Sequence, residues 1–437
     1  MIYLLICKSL KFQHSNNSSL LIINYFNMAQ ILFVLIIVIL IADFALERYL
    51  AFLNINMAGK ELPALLRDIY DPEKYAKQQD YFRTNSRFGM LTSTFSFIII
   101  LAMFAFGGFI FVDNLVQQYI ISPIWTPIIF FGILYFANDI LNIPFELYDT
   151  FVIEQKFGFN KITPKLYILD KLKGLGMTIV MGGGILFVVI WIYTLTPTYF
   201  WLLAWAVVTA FSLFMTMFYS QIIVPLFNKQ TPLEAGELRT EIEKFASKSG
   251  FNLDNIFVID GSKRSTKANA YFSGLGSKKR IVLYDTLMDS MSVEEIVAVL
   301  AHEVGHYKHK HTLINFLISI PYTLLLFFAF GYILQSDAFA QALGGSVASF
   351  HLNALAFSIL YTPISLVLDT FMNMLSRKFE YQADAFAASY GYAPQLESGL
   401  KKLSATSLSN LMPHPWYVFF HYSHPTLFQR ITRLSNK

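Results

Sequence analysis

Seven apolar stretches are spaced along the chain, at residues 31–50, 90–112, 124–143, 175–194, 201–223, 313–334 and 352–375. Each approaches the ~20 residues that a helix needs to cross the hydrocarbon core of a bilayer. The fourth and fifth are separated only by residues 195–199, which include Pro197, and this predicts a tight helical hairpin. Polar positions gather in a few long connections. In the longest, 225–312, apolar positions at helical spacing over 238–249 predict an amphipathic helix. Val- and Ile-rich runs at 256–259 and 280–284 predict short strands, and Gly274, Gly276 and Ser277 predict a turn after Ala270-Tyr271-Phe272. Ser292 followed by Glu295 ahead of an apolar run is a capping-box signature, so a helix is predicted over 293–310. The pattern describes a mainly α, multi-pass membrane protein with about seven transmembrane helices and a small α+β part. It divides the chain into an atypical extension (1–27), five spans with their loops (28–224), an insert (225–312), two further spans (313–375) and a polar tail (376–437).

Composition sharpens this picture. Of 437 residues, 55% are hydrophobic and only 14% charged, against about 25% charged in soluble domains. Mean hydropathy is +0.48. A disordered chain, a coiled coil and an ordinary soluble enzyme are excluded. A net charge of +4 gives no case for nucleic acid. The distribution of charge orients the spans. The connections 113–123, 195–200 and 335–351 contain no Lys or Arg, whereas 51–89, 144–174, 225–312 and the tail after 376 are basic. By the positive-inside rule the second set is cytoplasmic. The single cysteine, Cys7, excludes an intrachain disulfide and a Cys-based zinc site. It lies in the Asn- and Ser-rich extension, and Met28, where the first apolar stretch opens, is expected to be the working start. The alternative of a signal peptide lacks an Ala-x-Ala cleavage site.

The chemistry concentrates on the helix predicted at 293–310. His302-Glu303-Val304-Gly305-His306 reads H-E-x-x-H. Two imidazoles four residues apart share a helix face and can reach one ion. Zinc accepts neutral imidazole and leaves room for a water, from which Glu303 can take a proton. Among chains of this composition the pattern arises by chance on the order of once in a hundred. A third protein ligand is needed. His309 and His311, in Lys308-His309-Lys310-His311, read as a basic collar at the membrane interface rather than as ligands. Glu380 is the better candidate. It lies just past the seventh span, four residues before Asp384 and on the same face. Asp384 can then orient His302 or His306, or move a proton. The alternative for this pair is an ordinary surface carboxylate couple. Gly305 within the helix gives room for another backbone. Asn138-Asp139, central in the third span, is expected to line a wet chamber, while Asp43 and Asp369 suit span ends.

At this point the chain resembles a known family, the type I CAAX prenyl endopeptidases, integral membrane zinc metalloproteases. Beyond H-E-x-x-H the resemblance rests on Pro144-Phe145, Phe151-Val152-Ile153-Glu154, Gly158-Phe159-Asn160, Pro225-Leu226-Phe227-Asn228-Lys229 and Gly261-Ser262-Lys263-Arg264-Ser265. It continues through Asn269-Ala270-Tyr271-Phe272, residues 280–287, residues 380–387 and His424-Pro425. It implies seven helices enclosing a chamber, closed at the cytoplasmic end by a zincin-like α+β domain. It implies one zinc ion held by His302, His306 and Glu380, with Glu303 as catalytic base. Asp384 matches a position for proton donation or ligand orientation, and His424 one that stabilises the oxyanion. Asn269 and Ala270 match a strand that pairs with extended substrate. Lys267 and Phe157 stand where the family usually has histidines; the charge of Lys267 is expected to bear on substrate choice.

The leading expectation is therefore a zinc metalloendopeptidase in the lipid bilayer. Its partners are peptide or protein substrates, and the resemblance adds that these are prenylated at a C-terminal CAAX sequence. A second reading is a quality-control metalloprotease without prenyl preference. A third is a transporter, which would spread polar residues through broken spans rather than around one motif. The compact loops favour a bacterial inner membrane, with the endoplasmic reticulum as the eukaryotic alternative.

Overall fold

The computed structural model describes residues 27–251, 256–274 and 280–435. The extension before Asn27, and Gly276 and Ser277 of the expected turn, lie outside the described residues. Seven helices are long and apolar enough to span a membrane: Met28–Ile55, Pro72–Ala105, Trp125–Phe157, Pro164–Leu195, Phe200–Phe227, His311–Ile333 and Phe350–Ser389. They overlie the seven predicted stretches and run beyond most of them. The second departs from expectation. It stops at Ala105, Gly107 turns the chain with φ of +66°, and residues 108–112 belong to a separate helix, Gly108–Gln117. Only glycine enters that left-handed region without steric cost.

Polar residues start the long helices. The Asp71 side chain accepts the Lys74 N–H, with Pro72 following; the Thr163 side chain accepts the Leu166 N–H, with Pro164 following. Proline suits the first turn because its missing N–H would have no partner there. No more than 17% of any apolar window is buried within the protein. The spans do not pack into a solid bundle, and apolar side chains such as Ile98, Leu325 and Val367 are exposed. Asp139, expected at the chamber, pairs with Lys171 at 2.8 Å, and Lys171 also meets Glu146 at 2.8 Å. Tyr167 donates to the same Glu146, so this charge is neutralised across the third and fourth spans.

The insert is built on four short strands: β1 (Gln230–Pro232), β2 (Ile256–Ile259), β3 (Ala270–Ser273) and β4 (Arg280–Tyr284). Their order is β1–β2–β4–β3, parallel between β2 and β4 and antiparallel elsewhere. β3 is therefore an edge strand. Ile256, Ile281 and Leu283 of the sheet share one core with Ile242 and Phe245 of helix Glu237–Ser249 and with Ile296, Val297, Leu300 and Val304 of helix Val293–Lys308. The last of these carries H-E-x-x-H.

That helix is fixed at both ends. At its start Ser292 and Glu295 form the predicted capping box, the Ser292 N–H donating to Glu295 Oε2 at 2.8 Å. The buried Glu295 carboxylate also accepts from Ser398 at 2.6 Å and from Lys402 at 2.7 Å, tying the cap to helix Ala393–Thr406. Glu295→Ala removes the carboxylate that accepts all three hydrogen bonds and is expected to cost about 1–3 kcal/mol. A lowered thermal midpoint with bound metal unchanged is the expected readout, and an unchanged midpoint would show that the cap is dispensable. Near the other end a Cβ on Gly305 would sit 2.9 Å from Ala383 Cα. Glycine there lets the seventh membrane helix, continuous for 40 residues to Ser389, press its C-terminal part against the H-E-x-x-H helix.

Candidate metal centre

This close approach brings the two halves of the motif together. His302, His306 and Glu380 form a group whose donor atoms converge. His302 Nε2 and His306 Nε2 are 3.2 Å apart. Glu380 Oε2 lies 3.4 Å from His302 Nε2, and Glu380 Oε1 lies 3.3 Å from His306 Nε2. Ligands about 2.0–2.1 Å from a tetrahedral ion are separated by roughly 3.3–3.4 Å. The two imidazole nitrogens stand near that spacing from each other, and each stands at it from one of the two Glu380 oxygens. Glu380 Oε2 is buried, with ion-pair contacts but no well-aligned hydrogen bond, and it is open to a cation. Two imidazoles and one carboxylate leave a fourth position open, the donor set of a hydrolytic zinc site.

Each imidazole is held from behind. His302 Nδ1 is 2.9 Å from Asp384 Oδ1. The Arg430 guanidinium grips Asp384 with two hydrogen bonds, Nη2 to Oδ1 at 2.6 Å and Nε to Oδ2 at 3.0 Å, and its Nη1 lies 3.3 Å from Glu380 Oε2. Burial and this guanidinium both pull the His302 pKa down, but hydrogen bonds to Asp384 and Glu380 outweigh them and push it up to about 9. His306 Nδ1 is 3.0 Å from His311 Nδ1, and His311 Nε2 is 2.9 Å from Gln382 Oε1. The His311 ring stacks on Phe379 with centroids 4.0 Å apart. His311 was expected in an interfacial collar; it is instead buried beside His306, while its neighbour His309 is exposed. Lys310, with φ of +58°, makes the turn that swings His311 back, a conformation rare for a residue bearing a Cβ.

The remaining expected residues are placed as follows. Glu303 is half-buried and, among the described residues, makes no hydrogen bond. His424 is exposed, its Nε2 3.3 Å from Glu380 Oε1 and its Nδ1 3.0 Å from Ser423 Oγ. Asn269 accepts the Ala270 N–H on its own side chain at 2.8 Å and the Tyr284 N–H on its carbonyl at 3.1 Å. β3, which begins at Ala270, packs against the H-E-x-x-H helix and, among the described residues, pairs only with β4, leaving its outer edge without a strand partner there. Lys267 is away from the metal group. Its Nζ donates to Glu154 at 2.8 Å and to Tyr81 at 2.9 Å, and lies over the Phe159 ring. Phe157 packs on the same Tyr81, so both departures from the family pattern fall in one cluster that ties the insert to the second and third spans.

Arg430, His311 and Gln382 escape the sequence reading. A signal for Arg430 existed: it shares a helical face with Leu427, Ile431 and Leu434, and an Arg on an apolar stripe requires a buried partner. Nothing in the sequence marks the left-handed Lys310 on which the placement of His311 depends.

Seven candidate membrane helices and a His-His-Glu group beside the glutamate of H-E-x-x-H define a membrane-embedded metalloprotease. Residues 52–229 match the family described as CAAX prenyl protease N-terminal, five membrane helices, and residues 232–437 match peptidase family M48. The chain is 36% identical to CAAX prenyl protease 1 of Saccharomyces cerevisiae, over 90% of this chain and 93% of that one. It is 43% identical to an Oryza sativa homologue over 68% and 71% of the two chains, and 32% identical to the human homologue over 85% and 88%. The crystal structure of S. mikatae Ste24p matches with a TM-score of 0.86 at 35% identity, covering 92% of this chain and 98% of that one. The chain belongs to the CAAX prenyl protease 1 family of M48 metallopeptidases. These relatives are eukaryotic and lend no support to a bacterial inner membrane.

Proposed function

We propose that the chain is a zinc endopeptidase of the endoplasmic reticulum membrane that removes the last three residues of prenylated CAAX proteins on the cytoplasmic side. The observation that carries the reading is the 3.2–3.4 Å spacing of the His302, His306 and Glu380 donors beside a carboxylate, Glu303, with no competing hydrogen bond. Zinc, when bound by those three residues, polarises the scissile carbonyl and acidifies a water. Glu303 takes a proton from the attacking water as its oxygen bonds to the carbonyl carbon. It then delivers the proton to the amide nitrogen as the C–N bond breaks. His424, at the mouth of the site, donates to the oxyanion. The free edge of β3, from Asn269 and Ala270, pairs with the extended substrate and holds the scissile bond over Glu303.

Asp384 is an orienting residue. Both its oxygens are engaged, by His302 Nδ1 and by Arg430, and neither is free to shuttle protons. His311 does for His306 what Asp384 does for His302: with His306 Nε2 turned to the ion, its Nδ1–H donates to His311 Nδ1, and His311 Nε2–H donates to Gln382. His311→Ala is expected to weaken zinc binding ~10–100-fold in competition with a chelator, with His311→Asn in between. Unchanged affinity would remove His311 from the support of the site.

The test of the whole reading is cleavage of a farnesylated CAAX peptide by protein purified in detergent, beside its unprenylated twin, with zinc removed and restored. Zinc-dependent cleavage favouring the prenylated peptide is expected. Equal cleavage of both would keep the metalloprotease and transfer it to general membrane-protein turnover; no cleavage of either by zinc-loaded protein would sink the proposal.

A further inference from the structure

The seventh membrane helix presents two faces beyond the bilayer. One carries Glu380 and Asp384. An adjoining face, about a quarter turn away, carries Met374, Arg377 and Lys378, which line a cavity of about 600 Å³ together with Arg433 of the C-terminal helix and Val418 and Phe419 of helix Pro415–His421. Among the described residues, no carboxylate lines this cavity. Among the described residues, none of its three cations is paired with Asp or Glu. Arg377 is held by the carbonyls of Val418 and Tyr422; Arg433 lies over the Tyr381 ring at 4.3 Å; Lys378 has no partner.

The depth of the cavity in the membrane follows from helix geometry. The helix starts at Phe350, so Arg377 is 27 residues on, about 40 Å at 1.5 Å per residue. The hydrocarbon core is about 30 Å thick. Arg377 and Lys378 therefore emerge at headgroup level, and Met374, one turn earlier, at the top of the acyl region. Trp416 and Phe419 on the neighbouring short helix are exposed, as aromatic side chains are at a bilayer interface. The cavity thus has an apolar floor towards the acyl chains and an unneutralised basic rim among the headgroups.

We propose that this cavity is a binding site for the phosphate headgroup of an anionic phospholipid in the leaflet on the catalytic side. Phosphate oxygens accept from Lys378 and Arg433, Arg377 fixes the wall, and the first acyl carbons lie against Met374, Val418 and Phe419. The bound lipid seats the rear of the ligand-bearing helix without touching the metal group.

The test titrates a dioctanoyl phosphatidylinositol phosphate, dioctanoyl phosphatidylcholine and free inositol phosphate into detergent-purified full-length protein. Specific binding of the anionic lipid is expected, with much weaker binding of the other two. Each basic residue near an anionic surface is worth roughly fivefold in affinity, so Lys378→Gln with Arg433→Gln is expected to weaken it ~25-fold. Metal content and thermal midpoint should be unchanged, since both side chains are exposed. Phe419→Ser should weaken lipid binding but leave any residual inositol phosphate binding untouched. Equal affinity for phosphatidylcholine, or undiminished binding by the double variant, would overturn the site. Inositol phosphate binding as tightly as the lipid would make it a pocket for a soluble anion and overturn the lipid assignment.

Discussion

Glu303→Gln is expected to lower kcat/KM on a farnesylated CAAX peptide by ~10²–10⁴-fold, the usual worth of a positioned general base. Bound zinc and thermal midpoint should stay as in the parent. The separation of effects follows from the geometry. Glu303 is next to the first ligand in sequence, yet it is not one of the three converging donors, and it makes no hydrogen bond that glutamine would break. Glutamine keeps the volume and removes only the basicity. A variant that loses its zinc would show that Glu303 supports the metal site. A variant that keeps its activity would hand the proton transfer to another group, and His424 would be the nearest candidate.

The membrane part was legible from apolar run length alone, because a bilayer demands about 20 residues per helix whatever the tertiary packing. The single misjudged end, at residues 106–112, reflects a limit of that rule. Phe106, Phe109, Phe111 and Val112 are apolar enough to continue a span, and only the left-handed Gly107 ends it. In the catalytic domain the capping box and H-E-x-x-H were legible because each is local, its partners three or four residues apart. Glu380 was legible because a helix without a breaker runs on from the seventh span. Gly305 already hinted at the close approach that its contact with Ala383 provides. What stayed hidden depends on long-range or conformational facts. Arg430 meets Asp384 across 46 residues. His311 reaches His306 only because a strained Lys310 reverses the chain between two helices. His311, following Lys308-His309-Lys310, carries no pattern that distinguishes a wet collar from a buried support.

Arg430→Met is expected to destabilise the protein by about 3–5 kcal/mol, the scale for removing one partner from a buried ionic group. Methionine replaces most of the volume, so the loss is electrostatic. It leaves Asp384 and Glu380, both almost wholly buried, with only histidine side chains to offset their negative charges on the protein side. The size of the effect should depend on metal. An ion at His302, His306 and Glu380 places two positive charges beside the same carboxylates and takes over part of the guanidinium's role. The drop in thermal midpoint should therefore be larger in zinc-stripped than in zinc-loaded protein, and Arg430→Met should bind zinc while folding poorly without it. Adding Asp384→Asn removes one stranded charge and should recover part of the loss, the non-additivity expected of groups in direct contact. An equal drop in both metal states would mean that Arg430 acts through packing of the C-terminal helix. In that case the guanidinium is not what holds the two carboxylates charged behind the metal site.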